Sequence, residues 1–219
     1  MAKIKTAYYC QNCGSQYSQW HGQCKNCGEW NTLVEEIVEK KSSHYDVIGS
    51  GKQKIINITE VEAGNEQRLK TISEELNRVL GGGIVLGSVI LIGGEPGIGK
   101  STLLLQLALK MKKKILYVSG EESASQIKMR ADRLTDVQNP NCFLYTETSV
   151  EKILKEAKNL QPDVMIVDSI QTLQSQLIES SPGTISQIRE CSNELIKFAK
   201  ENNIPIILVG HITKDGQIA

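Results

Sequence analysis

The chain has 219 residues, 40% of them apolar and 23% charged, which is the composition of an ordinary globular protein and excludes a disordered or fibrous class. Lysine plus arginine and aspartate plus glutamate each number 25, so the net charge is zero and any nucleic-acid contact must rest on a local patch. That length admits one sizeable α/β core and a small appended module, and excludes more than two full domains.

The amino terminus, MAKIKTAYYCQNC, lacks the apolar stretch of a signal peptide. The longest apolar segments, IVLGSVILIGG and IPIILVG, are too short and too interrupted by glycine to span a bilayer, so the expectation is a cytoplasmic protein. Four of the six cysteines fall within the first 27 residues, as Cys10, Cys13, Cys24 and Cys27: C-x2-C, a ten-residue spacer, then C-x2-C. In a reducing compartment that spacing reads as a metal site, because two such knuckles bring four thiolates to tetrahedral corners about 2.3 Å from one Zn2+. All four corners are then filled by protein, which makes the metal structural and its binding the source of folding energy for so small a piece. A redox or disulfide pair and an iron site are the competing readings. His21 reads as an exposed loop residue, while Tyr17, Trp20 and Trp30 either stack on bases or a partner, or cover the metal.

Residues 1 to 34 are assigned to a zinc ribbon, and residues 35 to 70, polar and mixed in charge with one candidate strand at KIINI, to a linker. From Thr71 to residue 219 apolar runs alternate with amphipathic stretches, the pattern of an α/β core with a mainly parallel sheet. Strands are expected at 88 to 93, 114 to 119, 142 to 146, 163 to 168 and 204 to 210, and helices over 101 to 111, 123 to 133, 150 to 159 and 184 to 202.

The first of these strands runs straight into Gly94, Glu95, Pro96, Gly97, Ile98, Gly99, Lys100 and Ser101, followed by Thr102 and a helical stretch. This is G-x-x-x-x-G-K-[ST] in the strand-to-helix setting it needs. Glycines turn the backbone tightly and aim N–H groups inward, and the helix start adds the positive end of its dipole, so the loop cradles phosphate. Lys100 is expected at the β- and γ-phosphates and the Ser101 hydroxyl on Mg2+. A Gly-rich turn that binds nothing is the alternative, but four fixed positions match by chance in a chain this long only about once in a hundred.

Further along, ILYVSGEES places Glu121 and Glu122 at the tip of a second strand. Glu121 is the candidate base that orients or deprotonates an attacking water, with Glu122 a helper or cap; both also fit as first-turn acids of the next helix. The basic run KMKKK closes the first helix, where it either complements the helix dipole or offers a basic patch to nucleic acid. DVMIVDSI ends a strand with Asp168, an acid that can hold the Mg2+ water shell beside Ser101, or, without the loop, simply cap the next turn. Residues 171 to 187, QTLQSQLIESSPGTISQ, are either a mobile loop coupling the Mg2+ site to a further ligand or a surface crossover. His211 at the last strand tip either senses the γ-phosphate or is structural, and Cys142 and Cys191 read as small buried hydrophobes. The guanine signature N/T-K-x-D is missed at TKDG, where Gly216 stands in place of the acid, so ATP is the expected nucleotide.

These motifs in this order, CQNCGSQYSQWHGQCKNCGEWNTLVEE, SEELNRVLGGGIVLGSVILIGGEPGIGKSTLLLQ, LYVSGEES, VDSIQT and GHITKDGQIA, resemble the bacterial RadA/Sms DNA repair ATPases through nearly the whole chain. The resemblance implies a RecA-like P-loop NTPase core behind an N-terminal zinc ribbon, assembled into homo-hexameric rings around DNA. It implies a DNA-dependent ATPase that acts in recombination and repair by branch migration, with single-stranded and branched DNA as ligands and a recombinase or replicative helicase as partner. Residue by residue, it makes Gly94 to Thr102 the nucleotide loop, Asp168 the Mg2+-side acid, Glu121 the catalytic glutamate and His211 the strand-tip sensor, and it favours a DNA loop for residues 171 to 187. The family continues with K-N-R-F-G and a Lon-protease-like domain that this sequence lacks, so the chain reads as an N-terminal fragment with an incomplete core. An ATP-binding assembly switch or scaffold is the alternative to a motor; a small-molecule kinase finds no support, since no acceptor pocket can be recognised.

Overall fold

The computed structural model describes residues 5–38, 57–60, 68–134 and 139–211. Residues 54–56 of the KIINI run and residues 212–219, which hold TKDG, lie outside the described residues. At the amino terminus β1 (Lys5–Cys10), β2 (Gln16–Tyr17) and β3 (Leu33–Val38) form a small antiparallel sheet in the order β2, β1, β3. Each C-x2-C pair sits on a tight knuckle, where the N–H of Gly14 donates to Cys10 O and that of Gly28 to Cys24 O, both at 2.8 Å. Cys10, Cys24 and Leu33 are the buried apolar centre of this piece. So little apolar burial does not offset chain entropy without a further link. β3 continues through Val38, into the stretch read as linker, because it pairs with β1 all the way from Cys10↔Leu33 to Lys5↔Val38.

The main body opens with β4 (Arg68–Leu69), α1 (Glu74–Val79) and β5 (Ile84–Val85), with β4 and β5 paired antiparallel. These short elements leave no mark in the apolar pattern, since α1 buries none of its residues. The local signals for α1 are nonetheless present: Ser73 accepts from the N–H of Leu76 as N-cap, and Glu74 and Glu75 fill the first turn.

Five apolar runs then become one parallel sheet: β6 (Val89–Gly94), β7 (Ile115–Ser119), β8 (Cys142–Thr146), β9 (Val164–Asp168) and β10 (Ile206–His211), in the order β6, β10, β9, β7, β8. The crossovers are α2 (Lys100–Lys110), α3 (Ala124–Leu134), α4 (Val150–Leu160) and α5 (Ile185–Asn202). The fold class is α/β, as expected. β7 and β9 are buried at every position, which requires cover on both faces. Alternation supplies it: Leu116, Val118, Met165, Val167 and Leu208 pack with Ile153 of α4 and Leu195 of α5. On the other face Ile115, Tyr117, Ile166 and Ile207 pack with Leu104 and Leu105 of α2 and Ile127 of α3. Each such Ile or Leu contributes about 1.5–3 kcal/mol on burial. Among the described residues no helix is long and apolar enough to cross a membrane.

Because the five strands run the same way, their carboxyl ends share one edge, where ligand crevices of open parallel sheets form. The register sets Gly94 beside His211 and Ser119 beside Asp168 on that edge.

Candidate nucleotide site and metal centre

β6 ends at Gly94 and α2 begins at Lys100, so the G-x-x-x-x-G-K-[ST] stretch is the turn between them. Gly97 and Gly99 have φ of 81° and 94°, a region strained for any other residue, and the reversal of the chain depends on both. Gly99 is the N-cap of α2 and no side chain caps the helix. Its first-turn N–H groups therefore suit an anion. Lys100 is buried, with Nζ donating to the carbonyl oxygens of Gly94 and Glu95 at 2.8 Å each and lying 3.4 Å from Nδ1 of His211.

Ser101, the next residue of α2, donates its hydroxyl to Oδ1 of Asp168 at 3.0 Å. The second carboxylate oxygen accepts from the Tyr117 hydroxyl at 2.8 Å. Burial, and then the charge of Asp168, push the Tyr117 phenol well above its ordinary range, so it remains a donor. The peptide bond between Asp168 and Ser169 is cis.

Glu121 lies just beyond the β7 tip. Its Oε1 accepts from the buried Ser169 hydroxyl at 2.6 Å and faces Nε2 of His211 at 3.5 Å. One imidazole thus stands between Lys100 and Glu121, and the Gln171 side chain donates to the His211 carbonyl at 3.3 Å. Glu122 is turned elsewhere: its carboxylate meets the guanidinium of Arg130 on α3 fork to fork, at 2.8 Å on both sides. That pairing makes it an anchor for α3 rather than a second acid on the crevice.

The segment 171–187 is a tied crossover. Gln187, fully buried on α5, accepts from Ser175 N at 2.8 Å and donates towards the carbonyls of Ser180, Ser175 and Ile178 at 2.8, 3.2 and 3.3 Å. Glu151 of α4 takes Gln176 N at 2.6 Å and the Ser175 hydroxyl at 3.1 Å. Ser181, Pro182 and Gly183 are left exposed at its tip.

The four cysteine sulfurs all lie within 4.8 Å of one another, with Cys10 to Cys27 at 3.6 Å and Cys13 to Cys24 at 3.5 Å. Thiolates about 2.3 Å from a tetrahedral ion are about 3.8 Å apart, so the donor set fits Zn2+. Tyr17 and Thr32 hydroxyls approach Cys24 and Cys10 at 3.2 Å each, as outer partners of the sulfurs. His21 instead packs edge-on against Tyr17, and Trp20 and Trp30 are 55% and 66% exposed, so neither tryptophan covers the sulfurs. Arg189 of α5 donates to the Gly14 carbonyl at 3.1 Å and so ties the ribbon to the core. Cys191 is buried, and burial pushes its thiol up to about 12, the behaviour of an inert core residue.

Sequence reasoning thus names Gly94 to Thr102, Glu121, Asp168 and His211, and the fold gathers them on one edge. It misses Tyr117, Ser169 and Gln187. A tyrosine inside the apolar run ILYVS was a readable signal for the first, whereas the other two act on partners 48 and 12 residues away.

The AAA domain family matches residues 57–217, and the family described as rubredoxin metal binding domain matches residues 8–35. The DNA repair protein RadA of Bacillus subtilis (strain 168) is 48% identical over 226 aligned residues, covering 100% of this chain and 49% of that protein. RadA of Aquifex aeolicus (strain VF5) is 47% identical over 221, again covering 100% of this chain and 49% of the relative. The chain therefore spans about half the length of the curated relatives it matches. Among solved structures, a DnaB-like replicative helicase, described with its interactions with primase, superposes with a TM-score of 0.57 at 18% identity, covering 69% of this chain and 45% of that one. At that identity the likeness concerns the fold alone.

Proposed function

Because the chain belongs to the AAA-domain family, as a RadA-type member of it, we propose that it carries the ATP-hydrolysing core of a DNA repair motor. The observation that supports hydrolysis best is the meeting of Ser101 and Asp168 at 3.0 Å beside Lys100, since a hydroxyl and an acid so placed are the protein ligands of a nucleotide-bound Mg2+ and its water shell. Residues Gly94 to Thr102 hold the triphosphate: backbone N–H groups of the loop and the α2 terminus bind its oxygens, and Lys100 exchanges the carbonyls of Gly94 and Glu95 for the β- and γ-phosphates. Held beside Ser101 and Asp168, Mg2+ would supply neutralisation of the charge that develops on the phosphate oxygens. Glu121 accepts the proton of the attacking water, and His211, in reach of both Lys100 and Glu121, senses whether the γ-phosphate is present.

In this reading residues 1–34, with β3 carrying the sheet on through Val38, are a ribbon folded by Zn2+ on Cys10, Cys13, Cys24 and Cys27, the stretch from there to β4 is a connection, and the ATPase core opens at β4 and runs through 71–219. Four cysteines without a disulfide persist in a reducing cytoplasm, which is where we place the protein. The exposed tip of 171–187, joined through Gln171 to His211, suits contact with single-stranded or branched DNA. Branch migration by a hexameric ring, working with a recombinase or replicative helicase, is the role proposed for the protein that carries this core.

The test is ATP turnover with Mg2+, with and without single-stranded DNA, beside Lys100→Ala. DNA-stimulated turnover lost in the variant is the expected result. Turnover retained in Lys100→Ala contradicts the site, and tight nucleotide binding without turnover favours an assembly switch.

A further inference from the structure

We propose that Ser169 is a positioning residue for Glu121, an assignment that rests on the hydrolase reading above. Glu121 follows Gly120, whose N–H donates to the Asp168 carbonyl at 3.1 Å, so the chain stays joined to the end of β9 one residue past β7. Gly120 permits this: a Cβ there would run into the Thr172 side chain. One residue further the link passes to side chains, and the Ser169 hydroxyl donates to Oε1 of Glu121 at 2.6 Å.

The two partners differ in freedom. The Ser169 side chain is fully buried, and its carbonyl is held by the Thr172 hydroxyl at 2.8 Å across the 3-10 turn Ile170–Thr172. The Glu121 side chain is 47% exposed. An exposed glutamate samples several rotamers, and a fixed donor selects one of them. Oε1 is occupied by Ser169 and faced by His211, while Oε2 has no hydrogen-bond partner among the described residues. Oε1 is thus the anchored oxygen and Oε2 the one presented to the attacking water. A base is effective only when held in the reacting geometry, and small misplacements cost one to two orders of magnitude in rate.

The experiment uses the full-length protein that carries this chain, with Ser169→Ala, Glu121→Gln and the double variant. Ser169→Ala is expected to lower kcat about tenfold at unchanged KM and unchanged nucleotide affinity, and to cause no further loss on the Glu121→Gln background. Equal turnover of Ser169→Ala and the unaltered protein overturns the positioning role while leaving the hydrolase reading intact. So does an additive loss in the double variant, or a fall in nucleotide affinity, since either would mark Ser169 as a support of the fold. No turnover by the unaltered protein removes the hydrolase reading and the role of Ser169 with it.

Discussion

Tyr117 on β7 donates its hydroxyl to Oδ2 of Asp168 on the neighbouring β9 at 2.8 Å, the carboxylate oxygen that the Ser101 hydroxyl does not take. Both oxygens of the acid are engaged by hydroxyls, so its plane is set before any ion arrives. Tyr117 is itself 1% exposed, inside the face formed with α2 and α3. The arrangement builds the acid into the sheet instead of leaving it on a loop.

Tyr117→Phe keeps the ring and its packing but strips Asp168 of one donor. A hydrogen bond to a charged acceptor contributes about 1.5–3 kcal/mol, so the variant should lose stability of that order in urea unfolding. Mg2+-dependent nucleotide affinity should fall as well, because Oδ2 is freed to turn. An unchanged unfolding midpoint together with unchanged affinity would show that the phenol does not orient the acid.

The buried apolar cluster of the ribbon is Cys10, Cys24 and Leu33, two of them cysteines, and the ribbon therefore depends on its metal. Metal analysis should return about one zinc per chain, and Cys24→Ser should lose it. Chelation should abolish hydrogen-exchange protection between β1 and β3 while the parallel sheet keeps its own. Iron in place of zinc, visible as colour, would shift the site to the rubredoxin type that also matches residues 8–35.

Gln187 holds the crossover after β9 through one accepted bond and three donor contacts to backbone, from within a buried position. Gln187→Leu preserves the volume and leaves those backbone groups without their partner, at about 1–3 kcal/mol for an unsatisfied buried group. Proteolysis within residues 176–183 should accelerate, with the rest of the chain protected. Cleavage at the unaltered rate would mean that Glu151 alone secures the segment.

The five central strands and four crossover helices were legible because each buried strand is a short apolar run between Gly, Pro, Asp or Asn, and each helix repeats its apolar residues at helical spacing. The phosphate loop and the metal knuckles were legible for another reason: their chemistry demands fixed residue types at fixed spacing. β4, α1 and β5 were not, since elements of two to six residues with little burial carry no period to detect. Contacts that join distant positions escaped as well. Nothing in the apolar pattern tells that Ser169 reaches Glu121, or that Arg130 rather than the crevice claims Glu122.

Glu147, just past β8, gives the fold an acid-sensitive joint. Its Oε1 accepts from the N–H groups of Ser149 and Thr148 at 3.1 and 2.8 Å, and Oε2 pairs with Lys152 at 2.9 Å. The Ser149 N–H first, then Lys152 and the Thr148 N–H, hold its carboxyl at about 2, below the ordinary 4.5. A depressed carboxyl binds its proton less readily in the folded state. Its contribution to stability is therefore complete above 4.5 and is lost as pH falls through that value towards 2. In denaturant titrations the unaltered chain should lose stability more steeply across that window than Glu147→Gln, with the two curves converging at its acid end. Parallel curves would mean that the backbone donors at the start of α4 do not discriminate between the charged and neutral side chain.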